Sequence, residues 1–300
     1  MKADYIEFLI QNHISYEDGK PASDFTSFKI GGPCLAVYPD GYGKFISAVN
    51  GACERGVKYV VIGAGSNVIF PDEGYDGAVI LTKYVNDEPA VYGEKIVASC
   101  GTPLFTLCKA ALENSLTGLE FAYGIPGTVG GAVFMNAGAY GGEIKDLCTY
   151  VKAFSPSTGK IVEYGNEQCR FGYRESRFSN GSDEIILSAE FELSKGDKEV
   201  IKEEMARILQ KRKDKQPLNY PSAGSVFKRY PGRYTGQMIE AAGLKGYSVG
   251  GAQVSEKHAG FIVNIGGATA EDVKRLIRYI KDVIMEKEQA ELECEVRFID

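Results

Sequence analysis

The sequence predicts an α+β protein with two or three domains. Its 300 residues are enough chain to bury more than one hydrophobic core. Helical and strand-like patterns follow one another along the whole chain, without an internal repeat or a low-complexity tract. Glycine makes up 36 of the 300 residues, which is above the usual share of about 7% and indicates loops that bind a ligand.

The first half of the chain contains four predicted strands and two predicted helices. In chain order, these elements are a strand at 35–39, a helix at 44–54, strands at 59–62, 78–82 and 95–99, and a helix from about residue 102. The first three form a βαβ pattern, because Gly56 stops the helix before the second strand. The second helix is expected to have Thr102 as its N-cap and Pro103 as its first residue, where proline loses no hydrogen bond.

The second half begins with strands and ends in a helix-rich unit. The predicted elements are a hairpin of strands at 149–155 and 160–164, a strand at 184–193, helices at 198–212 and 237–242, a strand at 260–264, a last helix, and a strand at 292–298. Thr269 is expected to cap the last helix together with Asp272. The buried face of that helix is predicted to consist of Val273, Leu276, Ile277, Ile280 and Ile284.

Composition and charge exclude several classes of protein. The net charge of −6 argues against nucleic acid or an anionic membrane as the main partner. No apolar run approaches the roughly 20 residues that span a bilayer, and the first residues lack the core of a signal peptide. We therefore expect a cytoplasmic protein with no membrane partner.

Cysteine and histidine are poorly placed for a metal site. The seven cysteines include no Cys-x-x-Cys pair, and the histidines are His13 and His258. Scattered cysteines in a cytosolic chain are typical of reduced core thiols. We expect no metal, no disulfide framework and no Ser-His-Asp triad.

The stretch from Gly118 to Gly142 has the character of a ligand cradle. It carries a high density of glycine and almost no charge, and apolar residues such as Ile125 and Val129 alternate with the glycines. Glycine allows a backbone to approach a flat or charged ligand closely. A run of ordinary turns is the alternative, although turn loops are usually polar. We interpret this stretch as a cofactor-binding loop.

A second glycine turn, Gly63 to Asn67, directly follows a predicted strand. It begins like a dinucleotide-binding fingerprint, but Val68 stands where the third glycine belongs and Pro71 interrupts any following helix. A Rossmann site is therefore rejected. Successive N–H groups around a Gly-x-Gly turn can instead bind a pyrophosphate, and a plain turn at the end of a strand remains the alternative.

Taken together, these motifs resemble one enzyme family. The segments that carry the resemblance, in chain order, are Gly63 to Asn67, Gly124 to Ala132, Met135 to Tyr140, Tyr173 and Arg174, Pro221 to Lys228, Ser255 to Phe261, and Glu295 to Arg297. This order is similar to that of the UDP-N-acetylenolpyruvoylglucosamine reductase (MurB) family and spans nearly the whole chain. One glycine-rich match alone is weak, whereas several in order are specific.

The resemblance implies a fold and a cofactor. The fold is the FAD-binding fold of the vanillyl-alcohol-oxidase type, with subdomains at 1–75 and 76–195 and an α+β substrate domain at 196–300. Noncovalent FAD would be held by Gly63, Ala64, Gly65, Ser66, Asn67, Gly124, Ile125, Pro126, Gly127, Thr128, Val129, Gly138 and Ala139. The implied reaction uses NADPH to reduce UDP-N-acetyl-3-O-(1-carboxyvinyl)-glucosamine to UDP-N-acetylmuramate, a peptidoglycan precursor. We expect a monomer.

By the same resemblance, three residues form the catalytic set. Ser225 would donate a proton to the enolpyruvyl carbon next to the carboxylate, and Arg174 and Glu295 would stabilise the intermediate. A cation near the carboxylate oxygens would stabilise the charge that develops there. Taken singly, Arg174 fits a surface residue, Ser225 a turn hydroxyl and Glu295 a solvated strand face. The ordered motifs around them favour the catalytic interpretation.

Substrate recognition requires cations for a diphosphate, and the candidates are Arg212, Lys215, Lys228 and Arg297. Arg229 stands where some family members have a substrate-binding Asn, so that contact is not expected here. The segment Ser179 to Glu184 is too short for the Tyr-bearing substrate loop of one subgroup. The chain is therefore assigned to the shorter subgroup.

Two other functions fit parts of the sequence. The first is a flavin-dependent oxidase of the same fold with a different small substrate, which a substrate-specificity assay would separate. The second is a non-catalytic nucleotide-binding protein that keeps the scaffold, which predicts no NADPH turnover. The presence of Arg174, Ser225 and Glu295 together argues against the second function.

Overall fold

The structure is a computed structural model that describes residues 1–300. Its seven α-helices are α1 Lys2–Gln11, α2 Tyr42–Glu54, α3 Leu104–Glu113, α4 Val129–Phe134, α5 Lys198–Lys215, α6 Thr235–Ala241 and α7 Ala270–Glu288. None of these helices is both long and apolar enough to cross a lipid bilayer.

Nineteen mostly short strands accompany the helices. The strands of the first half are β1 Ser15–Pro21, β2 Pro33–Tyr38, β3 Tyr59–Ile62, β4 Val68–Ile69, β5 Ala78–Leu81, β6 Ala90–Tyr92, β7 Lys95–Ser99, β8 Leu116–Thr117, β9 Gly138–Ala139 and β10 Gly142–Glu143. Those of the second half are β11 Cys148–Ser155, β12 Lys160–Gly165, β13 Ile185–Glu192, β14 Ser194–Lys195, β15 Ser222–Ser225, β16 Ser248–Val249, β17 Ala252–Val254, β18 Phe261–Asn264 and β19 Arg297–Phe298.

The chain divides into two compact units that share the sequence in alternating segments. Unit 1 comprises Met1–Glu17, Leu35–Ala64 and Gly77–Lys211. Unit 2 comprises Asp18–Cys34, Gly65–Asp76 and Arg212–Asp300. Residues 1–75 therefore contribute to both units, and the three-domain division at residues 75 and 195 stays a prediction.

A parallel sheet carries the βαβ pattern in unit 1. Strand β5 lies between β2 and β3, with Leu35 and Tyr59 both opposite Ala78. Helix α2 connects β2 to β3 and buries Phe45 and Val49. All three strands are largely apolar, as expected where a parallel sheet is covered on both faces. The predicted helix and strands are confirmed to within three residues.

The second sheet of unit 1 is antiparallel, with the strand order β12-β11-β13-β7-β6. The predicted β11–β12 hairpin is confirmed. The expected start of α3 is wrong by one residue, because Pro103 is the N-cap and the helix begins at Leu104. The reason is a backbone pairing, in which Leu104 N–H donates to Gly127 O at 3.0 Å and Val129 N–H donates to Thr102 O at 2.9 Å. This pairing keeps Pro103 extended.

In unit 2, helix α7 packs its apolar face into a core beside the sheet β15-β18-β17-β16. The predicted capping box is confirmed, with Asp272 N–H donating to Thr269 Oγ1 at 3.0 Å and Thr269 N–H donating to Asp272 Oδ2 at 3.1 Å. The predicted buried face of α7 is also confirmed.

The final strand predicted at 292–298 is wrong in extent, because only β19 at Arg297–Phe298 is regular. The segment before it pairs with a different partner, through an isolated antiparallel bridge between Cys294 and Phe227. β19 itself runs parallel to β4, with Arg297 opposite Val68. A chain that changes partner within three residues cannot form one continuous ladder.

Candidate active site

The two glycine motifs meet in unit 1 at the carboxyl end of the parallel sheet. β3 ends at Ile62, and Gly63 follows it directly against Thr128. A methyl group on Gly63 would overlap Thr128 Oγ1. Glycine is therefore required here for the close approach of two loops. The contact joins two motifs that lie about sixty residues apart in the sequence.

The second loop leads into the short helix α4, which the sequence analysis missed. Thr128 is its N-cap, and its Oγ1 accepts a hydrogen bond from Gly131 N–H at 3.4 Å. A methyl group on Gly127 would meet Leu104 Cδ1 at 3.6 Å, and one on Gly131 would meet Thr128 Oγ1 at 3.7 Å, both ordinary distances. The protein therefore leaves space beside these two glycines. That space and the peptide N–H groups of the two loops fit a dinucleotide cofactor.

Gly138 and Ala139, the last predicted cofactor residues, form strand β9. They pair with β10 across a two-residue turn, Tyr140 and Gly141, at φ values of 52° and 96°. Two consecutive positive φ values are typical of a type I′ hairpin turn. The turn fixes the direction in which the peptide groups of Gly138 and Ala139 point.

Buried Asn136 organises the loops around this hairpin. Its Nδ2 donates to Gly172 O at 2.8 Å and to Glu143 Oε2 at 3.0 Å, and its Oδ1 accepts from Lys145 N–H at 2.9 Å. It has a φ of 42°, in the left-handed region that Asn tolerates better than most residues. The sequence analysis did not single it out. A polar residue inside an apolar, glycine-rich run was the available signal.

Arg174 lies in the turn that Asn136 holds, also in unit 1. The turn is closed by a hydrogen bond from Gly172 N–H to Glu175 O at 3.0 Å, and Arg174 has a φ of 59°. Its Nη2 donates to Gly138 O at 3.0 Å, so the predicted catalytic cation touches the predicted cofactor hairpin. A positive φ at a non-glycine residue is costly and tends to be found at functional sites.

The charge around Arg174 is partly balanced by Glu143. The Lys145 ammonium, 2.8 Å from the Glu143 carboxylate, holds the pKa of Glu143 below its usual value. The Asn136 amide and the Arg174 charge lower that pKa further. Glu143 is therefore ionised at neutral pH, which favours the charged guanidinium nearby.

Ser225 and Glu295 lie close together in unit 2. Ser225 ends strand β15, opposite Phe261 of β18. The next residue, Val226, accepts a hydrogen bond from Glu295 N–H at 2.8 Å. Both side chains are half-buried. The structure thus brings two of the three predicted catalytic residues together, and it places Arg174 in the other unit.

The end of the first glycine loop belongs to unit 2 and contacts the same strands. Ser27 N–H donates to Gly65 O at 3.0 Å, and Ser27 Oγ donates to Ser222 O at 2.6 Å. Asn67 Nδ2 donates to Glu295 O at 3.1 Å. The predicted cofactor loop is therefore joined by hydrogen bonds to Glu295 and, through Ser27, to the strand that ends at Ser225.

The four predicted substrate cations have different surroundings. Arg212 is buried near the end of α5, and Lys215, the last residue of that helix, is exposed. Lys228 forms an ion pair with Glu293, and Arg297 is exposed in β19. Lys228 would have to share its charge between Glu293 and a diphosphate.

The short segment after Phe178 is fixed to the body of unit 1. Arg177 Nε donates to Glu184 Oε2 at 2.9 Å, and Ser182 Oγ donates to the same oxygen at 2.8 Å. The Arg177 guanidinium also lies over the Tyr164 ring, 3.8 Å from its centroid. The segment from Ser179 to Glu184 is therefore a short connection held by hydrogen bonds to Glu184.

Comparison with known proteins identifies the family. Residues 216–299 match the family model for the C-terminal domain of UDP-N-acetylenolpyruvoylglucosamine reductase, and residues 33–165 match that of an FAD binding domain. The reductase of Fervidobacterium nodosum is 47% identical over 278 residues, covering 91% of this chain and 88% of that protein. The chain belongs to the UDP-N-acetylenolpyruvoylglucosamine reductase family.

Further relatives agree over almost the full length. The reductase of Latilactobacillus sakei is 46% identical, covering 97% of this chain and 96% of that protein. The crystal structure of the Thermus caldophilus reductase aligns with a TM-score of 0.80 at 35% identity, covering 96% of this chain and all of that one. The α+β fold with an FAD-binding domain is thereby confirmed.

Membership in this reductase family establishes the class of chemistry. The chain is an FAD-dependent oxidoreductase, and FAD is its cofactor. The glycine loops that fit a dinucleotide lie at Gly63 and Gly124 to Val129, within the segment matched to the FAD binding domain. No group of three or more His, Cys, Asp or Glu side chains is arranged to hold a metal ion.

Proposed function

We propose that this protein uses NADPH to reduce the enolpyruvyl group of UDP-N-acetyl-3-O-(1-carboxyvinyl)-glucosamine, giving UDP-N-acetylmuramate for peptidoglycan synthesis. The observation that carries the proposal is the hydrogen bond from Glu295 N–H to the carbonyl oxygen of Val226, the residue after Ser225, within the segment that matches the reductase C-terminal domain. The names of the relatives support this substrate class.

The cofactor is proposed to bind noncovalently through the peptide groups of Gly63 to Asn67, Gly124 to Val129, and the hairpin residues Gly138 and Ala139. When bound, FAD supplies the hydride chemistry that links NADPH to the substrate. The space beside Gly127 and Gly131 supports this placement. Neutral peptide donors bind a pyrophosphate without a lysine in the loop.

The catalytic roles follow from the charge that reduction of the vinyl group creates. Hydride addition at the terminal carbon leaves negative charge on the carboxylate side of the substrate, where a guanidinium lowers the barrier. Arg174 is proposed to supply that cation. Ser225 is proposed to deliver the proton to the neighbouring carbon, with Glu295 stabilising the intermediate from the adjacent segment.

Residues 196–300 are proposed to bind the substrate, and residues 1–75 and 76–195 the cofactor. Arg212, Lys215, Lys228 and Arg297 are proposed as cations for the diphosphate. The protein is proposed to act as a cytoplasmic monomer.

The proposed function is tested by identifying the product. Purified protein loaded with FAD is incubated without oxygen with NADPH and the enolpyruvyl nucleotide, and the products are analysed by mass spectrometry. We expect saturated UDP-N-acetylmuramate in equal amount to the NADPH consumed. NADPH oxidation without a change in the nucleotide would reject the proposed substrate.

A further inference from the structure

Asn67 makes hydrogen bonds to the residues on both sides of Val296. Its side-chain Nδ2 donates to the carbonyl oxygen of Glu295 at 3.1 Å. Its own carbonyl oxygen accepts from the N–H of Arg297 at 3.0 Å. One residue of the first glycine loop thus holds the chain immediately before and after Val296.

The segment around Glu295 needs such a support because it lies outside regular strand structure. Before it, Cys294 forms an isolated bridge with Phe227. After it, β19 begins at Arg297 with a new partner, β4. Glu295 therefore lies where the chain passes from one partner to the other, and its N–H donates to Val226 O at 2.8 Å.

We propose that Asn67 is a positioning residue for Glu295, fixing the peptide of Glu295 so that its carboxylate is correctly aimed during substrate reduction. This proposal rests on the proposed function. It assigns the Asn67 side chain to the substrate half of the reaction, in addition to the place of its loop beside the cofactor. The carboxamide is required because a donor must face the Glu295 carbonyl.

Two substitutions at Asn67 separate this role from cofactor binding. Asn67→Ala removes the donor, and Asn67→Asp keeps the shape but turns an acceptor toward the Glu295 carbonyl. Asn12→Ala is the matched control, because Asn12 Nδ2 also donates to a backbone carbonyl, that of Phe8 at 2.8 Å, at the end of α1.

The two half-reactions are measured separately without oxygen by stopped-flow absorbance of the flavin. Because the loop is proposed to bind FAD through its peptide groups, which both substitutions keep, we expect both Asn67 variants to slow reduction by NADPH far less than reoxidation. Reoxidation by the enolpyruvyl nucleotide should slow by about 10- to 100-fold, since a small misplacement of a catalytic group has effects of that size. Equal slowing of both half-reactions, with loss of FAD, would overturn the proposal in favour of a cofactor role.

A double-mutant cycle with Glu295→Gln tests whether Asn67 acts through Glu295. If it does, Asn67→Ala has little further effect on reoxidation once Glu295 has been replaced. Independent, multiplicative effects of the two substitutions would contradict the proposal.

Amide hydrogen exchange at Glu295 and Arg297 is measured in the FAD-loaded protein without substrate. We expect faster exchange at these amides in Asn67→Ala than in wild type or Asn12→Ala, because the segment loses its anchor. Unchanged exchange would reject the anchor. A wild-type protein that the nucleotide does not reoxidise would instead reject the proposed function, so the two failures are distinguishable.

Discussion

Ser225 is a weak acid that owes its place to backbone pairing on two sides. It ends β15 opposite Phe261, and the chain that follows it is bonded to Glu295. A serine hydroxyl cannot protonate carbon unless it is well positioned and its proton is replaced. The backbone pairing around Ser225 holds its hydroxyl in position.

We expect Ser225→Ala to retain FAD and to be reduced normally by NADPH, because its side chain acts on the substrate. Product formation should fall by about 10²- to 10⁴-fold, the usual size of a general-acid effect. Single-turnover product analysis measures this loss. Ser248→Ala, at an exposed residue of strand β16 in the same sheet, is the control. Normal turnover in Ser225→Ala would remove the proton-donor role.

Gly127 tests the cofactor loop at a single residue. A methyl group added there meets no crowded protein atom, since the nearest is Leu104 Cδ1 at 3.6 Å. Gly127→Val should leave the fold without cofactor unchanged and weaken FAD binding. Overpacking of about 1–3 kcal/mol corresponds to roughly 5- to 150-fold in the dissociation constant.

The dissociation constant is measured by fluorescence titration of the protein stripped of FAD. Gly43→Ala in α2 is the matched control, because an added methyl group there has no protein atom within 4 Å. Unaltered FAD affinity in Gly127→Val would show that the cofactor does not lie beside this glycine.

His258 makes stability depend on pH. Burial lowers the pKa of its imidazole, and its Nδ1 accepts a hydrogen bond from Gly260 N–H at 3.1 Å. Lys245 lowers the pKa further, and Glu240 opposes that effect. Because the folded state favours the neutral ring, the unfolded state binds the proton more readily, and stability falls as the pH drops below about 6.5.

We expect His258→Asn, which keeps an acceptor for Gly260, to lose less stability than wild type when the pH is lowered. Urea unfolding at several pH values measures this difference. His13→Asn, at an exposed position, should follow the wild-type curve. A His258→Asn curve parallel to wild type across this range would contradict the assignment.

Sequence motifs named candidate catalytic residues, but they did not reveal the residues that support them in the structure. Ser225, Glu295 and Arg174 could be named because they stand within motifs. The structural role of Asn136 and the proposed role of Asn67 could not be predicted. Each depends on a residue that is distant in sequence, Gly172 for Asn136 and Glu295 for Asn67. The left-handed backbone of Arg174 is likewise imposed by its turn, and no propensity predicts it.

At the level of elements, the start of α7 shows how one helix is tied to a loop of the same unit. Asp72 accepts from Ala270 N–H at 2.8 Å and from Glu271 N–H at 3.1 Å, and the Thr269–Asp272 box satisfies the next donor. The first N–H groups of a helix have no partner within it, so an external carboxylate at this end is stabilising.

We expect Asp72→Ala to lower the free energy of unfolding by about 1–2 kcal/mol, as loss of a helix cap does. Asp72→Asn keeps one acceptor and should lose less. Urea denaturation measures both, with Asp76→Ala, an exposed residue of the same loop, as the control. Equal stability of Asp72→Ala and Asp76→Ala would contradict the capping role.

Element prediction failed where tertiary pairing overrides local preference. Helix α4 was missed because Gly130 and Gly131 have low helix propensity, yet Val129, Ala132 and Val133 are buried and hold it in place. The last strand was predicted too long because the alternating pattern does not reveal a change of partner. In contrast, α7 was predicted correctly, since its cap and its apolar face are both local signals.

At the scale of the whole molecule, both units contain predicted site motifs, because the chain passes from one unit to the other and back. The chain leaves unit 1 after Ala64 and returns at Gly77, so one glycine loop has residues in both units. Family membership was predictable from motif order, because ordered motifs survive when connecting segments vary. The interleaving was not predictable, because it depends on pairings such as β19 with β4, which are far apart in the sequence.

The most direct test of the enzyme assignment is the visible flavin absorbance of the purified protein, followed without oxygen during two additions. We expect yellow protein whose band bleaches on addition of NADPH and returns when the enolpyruvyl nucleotide is added. A colourless protein that takes up no FAD, or a bleached band that returns with oxygen but not with the nucleotide, would contradict it.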